Sequence, residues 1–230
     1  MEKGECRLDE EILLLLERRD EIPEPGSFLS ARELEQGKRW RHEGRRQQWL
    51  AGRYAAKGLV ARWVGERAGS KPACHEILII RAESGAPVVQ CPPGEPLGIS
   101  LSISHSGEYI LCGLCPVEKG RLGVDMERPE PRSDAFWQDY FDEEERRLAQ
   151  GHPGGSDAGI NLLWCLKEAY LKALGTGLRE STGRIAVRAL GPPATDGWGK
   201  AAVDAPEPVT AWWRIDDETG FCLAVALLPP

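Results

Sequence analysis

Alternation of apolar and polar residues is the clearest structural signal in this chain. Residues 97–106 read LGISLSISHS, which places isoleucine and leucine on one predicted face and serine on the other. After a break at Gly107, apolar residues return in 108–115, so the two segments predict a β-hairpin. Further strand candidates, by their apolar, β-branched and aromatic content, are 77–82, 121–127, 184–190, 210–216 and 221–228.

Two long helices are predicted from apolar residues spaced three and four apart. One covers residues 45–67, and the other, with the stronger pattern, covers residues 161–177. A glycine at 175 or 177 is expected to end the second helix. The apolar arc of that helix consists of Leu162, Leu163, Leu166, Ala169, Tyr170, Ala173 and Leu174.

Shorter segments complete the predicted elements. Ser30 followed by Glu33 is a capping-box pattern, which predicts a helix beginning near residue 30. Residues 141–150 predict a short acidic helix, and the glycine-rich residues 151–159 predict a surface loop. Because strands and helices alternate irregularly, the expected class is α+β and not a parallel doubly wound sheet.

The composition is that of an ordinary globular protein. The 230 residues suffice for one large domain or two small ones, and 28% of them are charged. A formal net charge of −7 argues against a general nucleic-acid or membrane-surface binder. The apolar run at 12–16 is flanked by acidic residues, so we expect neither a signal peptide nor a membrane span.

Seven scattered cysteines favour reduced thiols in a cytoplasmic protein. Cys112 and Cys115 form a CxxC pattern, which could be a metal or redox pair. No second CxxC or histidine pair follows at zinc-ligand spacing, so thiols within the core are the favoured interpretation.

Two carboxylates share a face of the strand predicted at 121–127. Asp125 and Glu127 alternate with Val124 and Met126, which places the carboxylates about 6–7 Å apart along the strand. Like charges at that separation repel, so either solvent screens them or a cation binds between them.

Glu168 and Lys172 are neighbours one turn apart on the helix predicted at 161–177, opposite its apolar arc. A solvated ion pair is the simplest interpretation of that spacing. If Glu168 instead joins Asp125 and Glu127, the three carboxylates form an oxygen-only site of the kind that Mg²⁺ prefers.

A pair of motifs in the second half resembles the signature of the 4′-phosphopantetheinyl transferases, G-[IV]-D-x-E followed by W-x-x-K-E-A-x-x-K-x-x-G-x-G. The residues that match are Gly123, Val124, Asp125, Glu127, Trp164, Lys167, Glu168, Ala169, Lys172, Gly175 and Gly177. Upstream, residues 102–107 (SISHSG) and 48–57 (QWLAGRYAAK) are similar to the serine–histidine element and the basic helix of the longer, Sfp-type members. Where those members have Gly-Lys-Pro, this chain has Ala86 between Gly85 and Pro87, so one phosphate-contacting cation is missing.

The resemblance implies a reaction and a set of residues for it. The family moves the phosphopantetheine arm of coenzyme A onto a serine of an apo acyl or peptidyl carrier protein and releases adenosine 3′,5′-bisphosphate. It implies Mg²⁺ at Asp125, Glu127 and Glu168, with Glu168 also a candidate for activating the carrier serine. Lys172 is expected to neutralise charge on the pyrophosphate, and Lys167 either to bind phosphate or to be structural. The other expected phosphate contacts are Arg53, Lys57, Ser104 and His105, and a solvated basic face is the alternative for Arg53 and Lys57.

The implied architecture is two similar α+β halves, 1–120 and 121–230, related by a pseudo-twofold axis with coenzyme A in the cleft between them. Such a protein can act as a monomer without nucleic-acid or membrane partners. Two alternatives stay open: a non-catalytic relative that binds carrier protein or coenzyme A, and a different Mg²⁺-dependent phosphodiester enzyme.

Overall fold

Antiparallel sheet and one long helix build each of two units in the computed structural model, which describes residues 4–18, 22–175 and 182–230. The units are Met1–Lys119 and Gly120–Pro230. The predicted α+β class is confirmed, since helices and antiparallel strands occur together in both units.

In the first unit, one long helix packs on a four-stranded antiparallel sheet of order β1-β2-β6-β5, and β3 pairs with β4 in a separate hairpin. The predicted capping box of Ser30 and Glu33 is confirmed at the start of α2. The elements are β1 (Glu5–Arg7), β2 (Leu13–Arg18), α1 (Pro25–Phe28), α2 (Ala31–Gly37), α3 (Glu43–Ala68), β3 (Leu78–Arg81), β4 (Pro87–Gln90), β5 (Ile99–Ser106) and β6 (Tyr109–Pro116).

In the second unit, the sheet order is β7-β11-β10-β9-β8, and α6 packs against β7 and β11 through its buried apolar arc. The elements are β7 (Arg121–Glu127), α4 (Asp134–Tyr140), α5 (Glu143–Gln150), α6 (Ser156–Leu174), β8 (Ala186–Leu190), β9 (Gly199–Asp204), β10 (Thr210–Ile215) and β11 (Cys222–Leu228).

The ends of α6 differ in part from the prediction. The loop predicted at 151–159 is wrong over its last four residues, because α6 begins at Ser156, buries Ala158 and packs Gly159 against Ala149 of α5. At the other end, Gly175 adopts the left-handed conformation (φ 74°) and ends the helix, as predicted. Gly177 lies outside the described residues.

The first unit contains a buried ion pair that joins three elements. The Glu33 carboxylate accepts hydrogen bonds from Ser30 N at 3.0 Å, Ile79 N at 3.3 Å and the Lys57 ammonium. Lys57 also donates to the carbonyl of Phe28 at 2.9 Å. Glu33 therefore ties the start of α2 to the middle of α3 and to β3.

The second unit repeats this arrangement contact for contact. Glu145 accepts from Asp142 N at 3.0 Å, Lys167 Nζ at 2.9 Å and Val187 N at 2.9 Å. Lys167 donates to the Tyr140 carbonyl at 2.6 Å. In each unit one strand, β2 or β7, is followed by two short helices, one long helix and four further strands, and it pairs with the last of those four. The two units are thus variants of one topology, each with its own Glu–Lys clamp.

The side chains of Cys112 and Cys115 are buried and neither belongs to a disulfide, as the favoured interpretation predicted. Burial raises the pKa of Cys115 to about 12, so this thiol is protonated and unreactive at neutral pH.

Among the helices of the described ranges, none combines the length and the apolar character that a membrane crossing needs.

Candidate active site

Strand β7 carries the two carboxylates of the first motif. Val124 and Met126 are buried, and Asp125 is buried on the side that meets α6, while Glu127 at the end of the strand is half-buried. β7 lies at the edge of its sheet and pairs along its whole length with β11. This pairing fixes the backbone from which both carboxylates extend.

Gly123 permits a close approach between β7 and α6. A Cβ at this position would lie 1.9 Å from the carbonyl oxygen of Ala169 and 2.6 Å from the amide nitrogen of Ala173. Any side chain would push the strand away from the helix. The motif glycine therefore brings Asp125 within reach of Lys172.

The ammonium of Lys172 donates a hydrogen bond to Asp125 Oδ1 at 2.7 Å. The alternative of a solvated Glu168–Lys172 pair is therefore wrong: Lys172 pairs across elements with a buried aspartate, and Glu168 is itself half-buried. The described structure thus links the two predicted motifs through one ion pair.

Glu168 lies in an environment that disfavours its charge. Burial, followed by the nearby Asp125 carboxylate, raises its pKa to about 6, and Lys172 opposes the shift. The pKa of Glu127 is also raised, first by burial and then by Asp125. Glu168 is thus affected by both other carboxylates and Glu127 by Asp125, so the three lie close enough that a cation between them would be stabilising.

These carboxylates fit a hard divalent cation by donor type and charge. All the donors are oxygens, and the buried Oε1 of Glu168 has no hydrogen-bond partner. In the described ranges, however, no three acidic, histidine or cysteine side chains already stand close enough to hold a metal ion. Asp125 Oδ1 instead holds the Lys172 ammonium.

Arg132 is a neighbour of this group that the sequence motifs did not reveal. Its Nη2 lies 3.4 Å from Glu127 Oε2, and its Nε donates to Asn161 Oδ1 at 2.7 Å. The bond to Glu127 spans five residues in sequence, and that to Asn161 joins a loop to α6. Neither contact follows a helical or strand spacing that sequence patterns could identify.

Lys167 is structural. Its side chain is 1% exposed, it pairs with Glu145, and its ammonium lies 4.7 Å from the ring centroid of Phe141. Of the two roles expected for Lys167, phosphate binding is therefore the wrong one.

In the first unit, Lys57 is corrected from a phosphate contact to an internal ion-pair partner. Its side chain is 0% exposed and its ammonium is bonded to Glu33 and Phe28, so the solvated basic face is also wrong for this residue. Arg53 is mostly buried, with Nε 3.5 Å from Glu33 Oε1 and its guanidinium 5.3 Å from the ring centroid of Trp49.

Ser104 and His105 are consecutive residues of β5 that face opposite sides of the strand. Ser104 is buried and His105 is exposed. The structure therefore does not bring the two side chains together as one donor pair, and His105 is the one that a ligand in solvent could reach.

Comparison with known proteins identifies the family. Residues 121–226 match the model of the 4′-phosphopantetheinyl transferase superfamily. A phosphopantetheinyl transferase of Thraustochytrium sp. is 31% identical over 65% of this chain and 54% of its own length. A holo-[acyl-carrier-protein] synthase of Staphylococcus carnosus is 32% identical over 43% of this chain and 80% of its own length.

A third relative, the 4′-phosphopantetheinyl transferase ffp of Bacillus subtilis, is 25% identical over 89% of this chain and 84% of its own length. The chain spans about half the length of several other curated relatives that it matches. Both sequence motifs and the site built by β7 and α6 lie inside the segment that the family model matches. The chain belongs to the 4′-phosphopantetheinyl transferase superfamily.

Proposed function

We propose that this protein transfers the 4′-phosphopantetheine arm of coenzyme A to a serine of an apo acyl or peptidyl carrier protein. The observation that carries the proposal is the joining of both family motifs by the Lys172–Asp125 ion pair, beside Glu127 and Glu168. The names of the relatives, phosphopantetheinyl transferase and holo-[acyl-carrier-protein] synthase, support the same reaction.

The reaction is a displacement at phosphorus. The serine oxygen forms a bond to the phosphorus that bears the pantetheine arm, and the bond from that phosphorus to adenosine 3′,5′-bisphosphate breaks. The serine proton passes to a general base, for which we propose Glu168. A pKa of about 6 leaves this carboxylate ionised at neutral pH yet basic enough to accept a proton.

Charge neutralisation is the second requirement, because negative charge builds on the pyrophosphate as the bond breaks. Lys172 has a partly exposed side chain whose ammonium can turn from Asp125 toward a phosphate oxygen. Asp125, Glu127 and Glu168 are the residues that would hold Mg²⁺. When bound, that ion supplies positive charge to the pyrophosphate oxygens.

His105 and Arg53 are the proposed contacts of the first unit with the phosphates of coenzyme A, and Ser104 stays a weaker prediction because it is buried. The lack of disulfides among the seven cysteines, all of which lie in the described ranges, supports a cytoplasmic location. The pseudo-twofold axis, the position of coenzyme A relative to the two units and the monomeric state stay predictions from the resemblance.

A non-catalytic relative that binds coenzyme A or a carrier is the competing proposal. The two are separated by incubating the protein with Mg²⁺, coenzyme A and a small panel of apo carrier proteins. Chromatography then measures adenosine 3′,5′-bisphosphate. Release of adenosine 3′,5′-bisphosphate that requires both the carrier protein and Glu168 supports the transferase. Binding of coenzyme A or carrier protein without such release in any mixture supports the non-catalytic relative.

A further inference from the structure

We propose that Arg132 is a positioning residue that fixes the Glu127 carboxylate for cation binding; this inference rests on the proposed function of the site. Glu127 is the last residue of β7, so the sheet constrains its backbone but not the end of its side chain. Arg132 Nη2 lies 3.4 Å from Glu127 Oε2 and is the hydrogen-bond donor that the structure gives this carboxylate.

A buried asparagine holds Arg132 in place. Asn161 is 0% exposed, and its amide group donates to the carbonyls of Glu130 and Asp157, each at 2.8 Å. Since both donors point at carbonyls, the side-chain oxygen of Asn161 has to face Arg132, whose Nε donates to it at 2.7 Å. The orientation of the guanidinium edge is therefore set from within α6.

An aromatic ring restricts the guanidinium from a second direction. The Arg132 guanidinium carbon lies 5.0 Å from the centroid of the Phe136 ring, within the range of a cation–π contact. With the edge at Asn161 and the face at Phe136 both held, Nη2 is directed at Glu127. Three contacts thus converge on one rigid, planar group.

The two cations of the site are held differently. The Lys172 ammonium ends a flexible chain and its hydrogen bond goes to Asp125, the partner it would leave to reach a phosphate. Arg132 would have to break its contacts with Asn161 and Phe136 to do the same. Arg132 therefore supports Glu127, and Lys172 is the cation that can turn toward a phosphate of coenzyme A.

Binding of Mn²⁺ in the presence of saturating coenzyme A, measured by electron paramagnetic resonance, tests this role without depending on turnover. Partners that orient a metal-binding carboxylate are worth about 10- to 100-fold in metal affinity. Arg132→Ala should therefore weaken Mn²⁺ binding at least about tenfold. Arg132→Lys should weaken it too, because lysine cannot contact Glu127 and Asn161 together.

The matched control is Arg128→Ala, which removes an exposed arginine of the same loop that lies over Phe221. It should leave Mn²⁺ binding unchanged.

A double-mutant cycle adds a second criterion. If Arg132 acts through Glu127, Arg132→Ala should have little further effect on Mn²⁺ binding in the Glu127→Gln background. Wild-type Mn²⁺ affinity in Arg132→Lys would mean that charge alone matters, which overturns the positioning role. A raised KM for coenzyme A with unchanged Mn²⁺ affinity would make Arg132 a phosphate ligand and overturn it equally.

The same measurements separate this inference from the proposed function. If Mn²⁺ binding by the protein depends on Glu127 and on Arg132 as predicted but no carrier protein is modified, the proposed function fails and the positioning role stands. If it modifies carriers while both Arg132 variants bind Mn²⁺ as the wild type does, the positioning role fails. Wild-type protein that binds no Mn²⁺ overturns the cation site and this inference with it.

Discussion

Lys172 and Asp125 form an ion pair across 2.7 Å that joins α6 to β7 and so connects the two sequence motifs. Asp125 is buried, whereas the Lys172 side chain is partly exposed. The pair therefore has a structural role, because it holds α6 against β7. It also has a proposed catalytic role, in which the Lys172 ammonium neutralises charge on the pyrophosphate.

A double-mutant cycle on Lys172 and Asp125 separates the structural role from the catalytic role. Lys172→Met should destabilise the protein by about 1–3 kcal/mol, because it leaves the Asp125 carboxylate buried without its cation. Asp125→Asn in the same chain should recover much of that loss, although transfer should stay abolished in both single variants and in the double variant. Urea denaturation and carrier modification are the two measurements. Additive losses of stability would show that the pair is not coupled.

The two Glu–Lys clamps make a matched pair of stability tests. Glu33→Gln and Glu145→Gln each leave a buried lysine with its charge uncompensated, which should cost about 3 kcal/mol of unfolding free energy in either unit. Glu143→Gln removes an exposed ion pair with Arg147 and should leave stability nearly unchanged, because solvent screens such a pair. Chemical denaturation measures all three. A cost for Glu33→Gln no larger than that of the exposed control would contradict the clamp.

Glu168 should make the metal-free protein less stable at alkaline pH. Its folded pKa of about 6 lies above the ordinary value of 4.5, so the folded state favours the protonated carboxyl. Stability is therefore lost as the pH rises from 4.5 through 6. In a chelating buffer at pH 8, Glu168→Gln should be more stable than the wild type by about 1 kcal/mol, after allowance for partial exposure.

At pH 4 the two proteins should unfold at the same denaturant concentration, because Glu168 is protonated in the folded wild type. Glu168→Gln should abolish transfer at every pH. Lower stability of the variant at pH 8 would mean that the carboxylate is held by favourable contacts and that its assignment as a strained ionised group is wrong.

The Arg81 guanidinium lies beside the turn in which this chain has Ala86 where the family motif has lysine. It pairs with Pro87 across the β3–β4 hairpin, and its guanidinium nitrogen lies 3.2 Å from where a Cβ of Gly85 would stand. Because the Lys57 ammonium is fully buried against Glu33, Arg81 is the candidate to replace the motif lysine at Ala86. Arg81→Ala should raise the KM for coenzyme A several-fold.

Ala86→Lys in the Arg81→Ala background should restore the KM, since a lysine there returns one positive charge to the turn. Arg32→Ala, which removes an exposed arginine of α2, is the control and should leave the KM unchanged. A normal KM in Arg81→Ala would show that this hairpin does not face the cofactor.

Local patterns predicted those parts of the structure that depend on local sequence. The Ser30 cap, the glycine end of α6 and the strand at 121–127 each depend on residues a few positions apart, and all three are present. β2 was missed because its start is buried in the middle of a sheet, so apolar residues follow one another without alternation.

Contacts between distant residues could not be predicted in the same way. Lys57 looked like part of a basic helix face, and only the folded chain brings Glu33 beneath it from a different helix. Arg132 carries no motif at all, because its roles come from Asn161 and Glu127. The family resemblance identified the carboxylates and Lys172, but it could not distinguish Lys167 as structural, since sequence does not reveal Glu145 as its partner.

The intact mass of an apo carrier protein tests the central claim most directly. The carrier is incubated with coenzyme A, Mg²⁺ and either wild-type protein or Glu168→Gln. A gain equal to one phosphopantetheine arm, located on the carrier serine and seen only with the wild type, is the predicted result. No gain with any acyl or peptidyl carrier, from folded protein that binds coenzyme A, would contradict the assignment as a transferase.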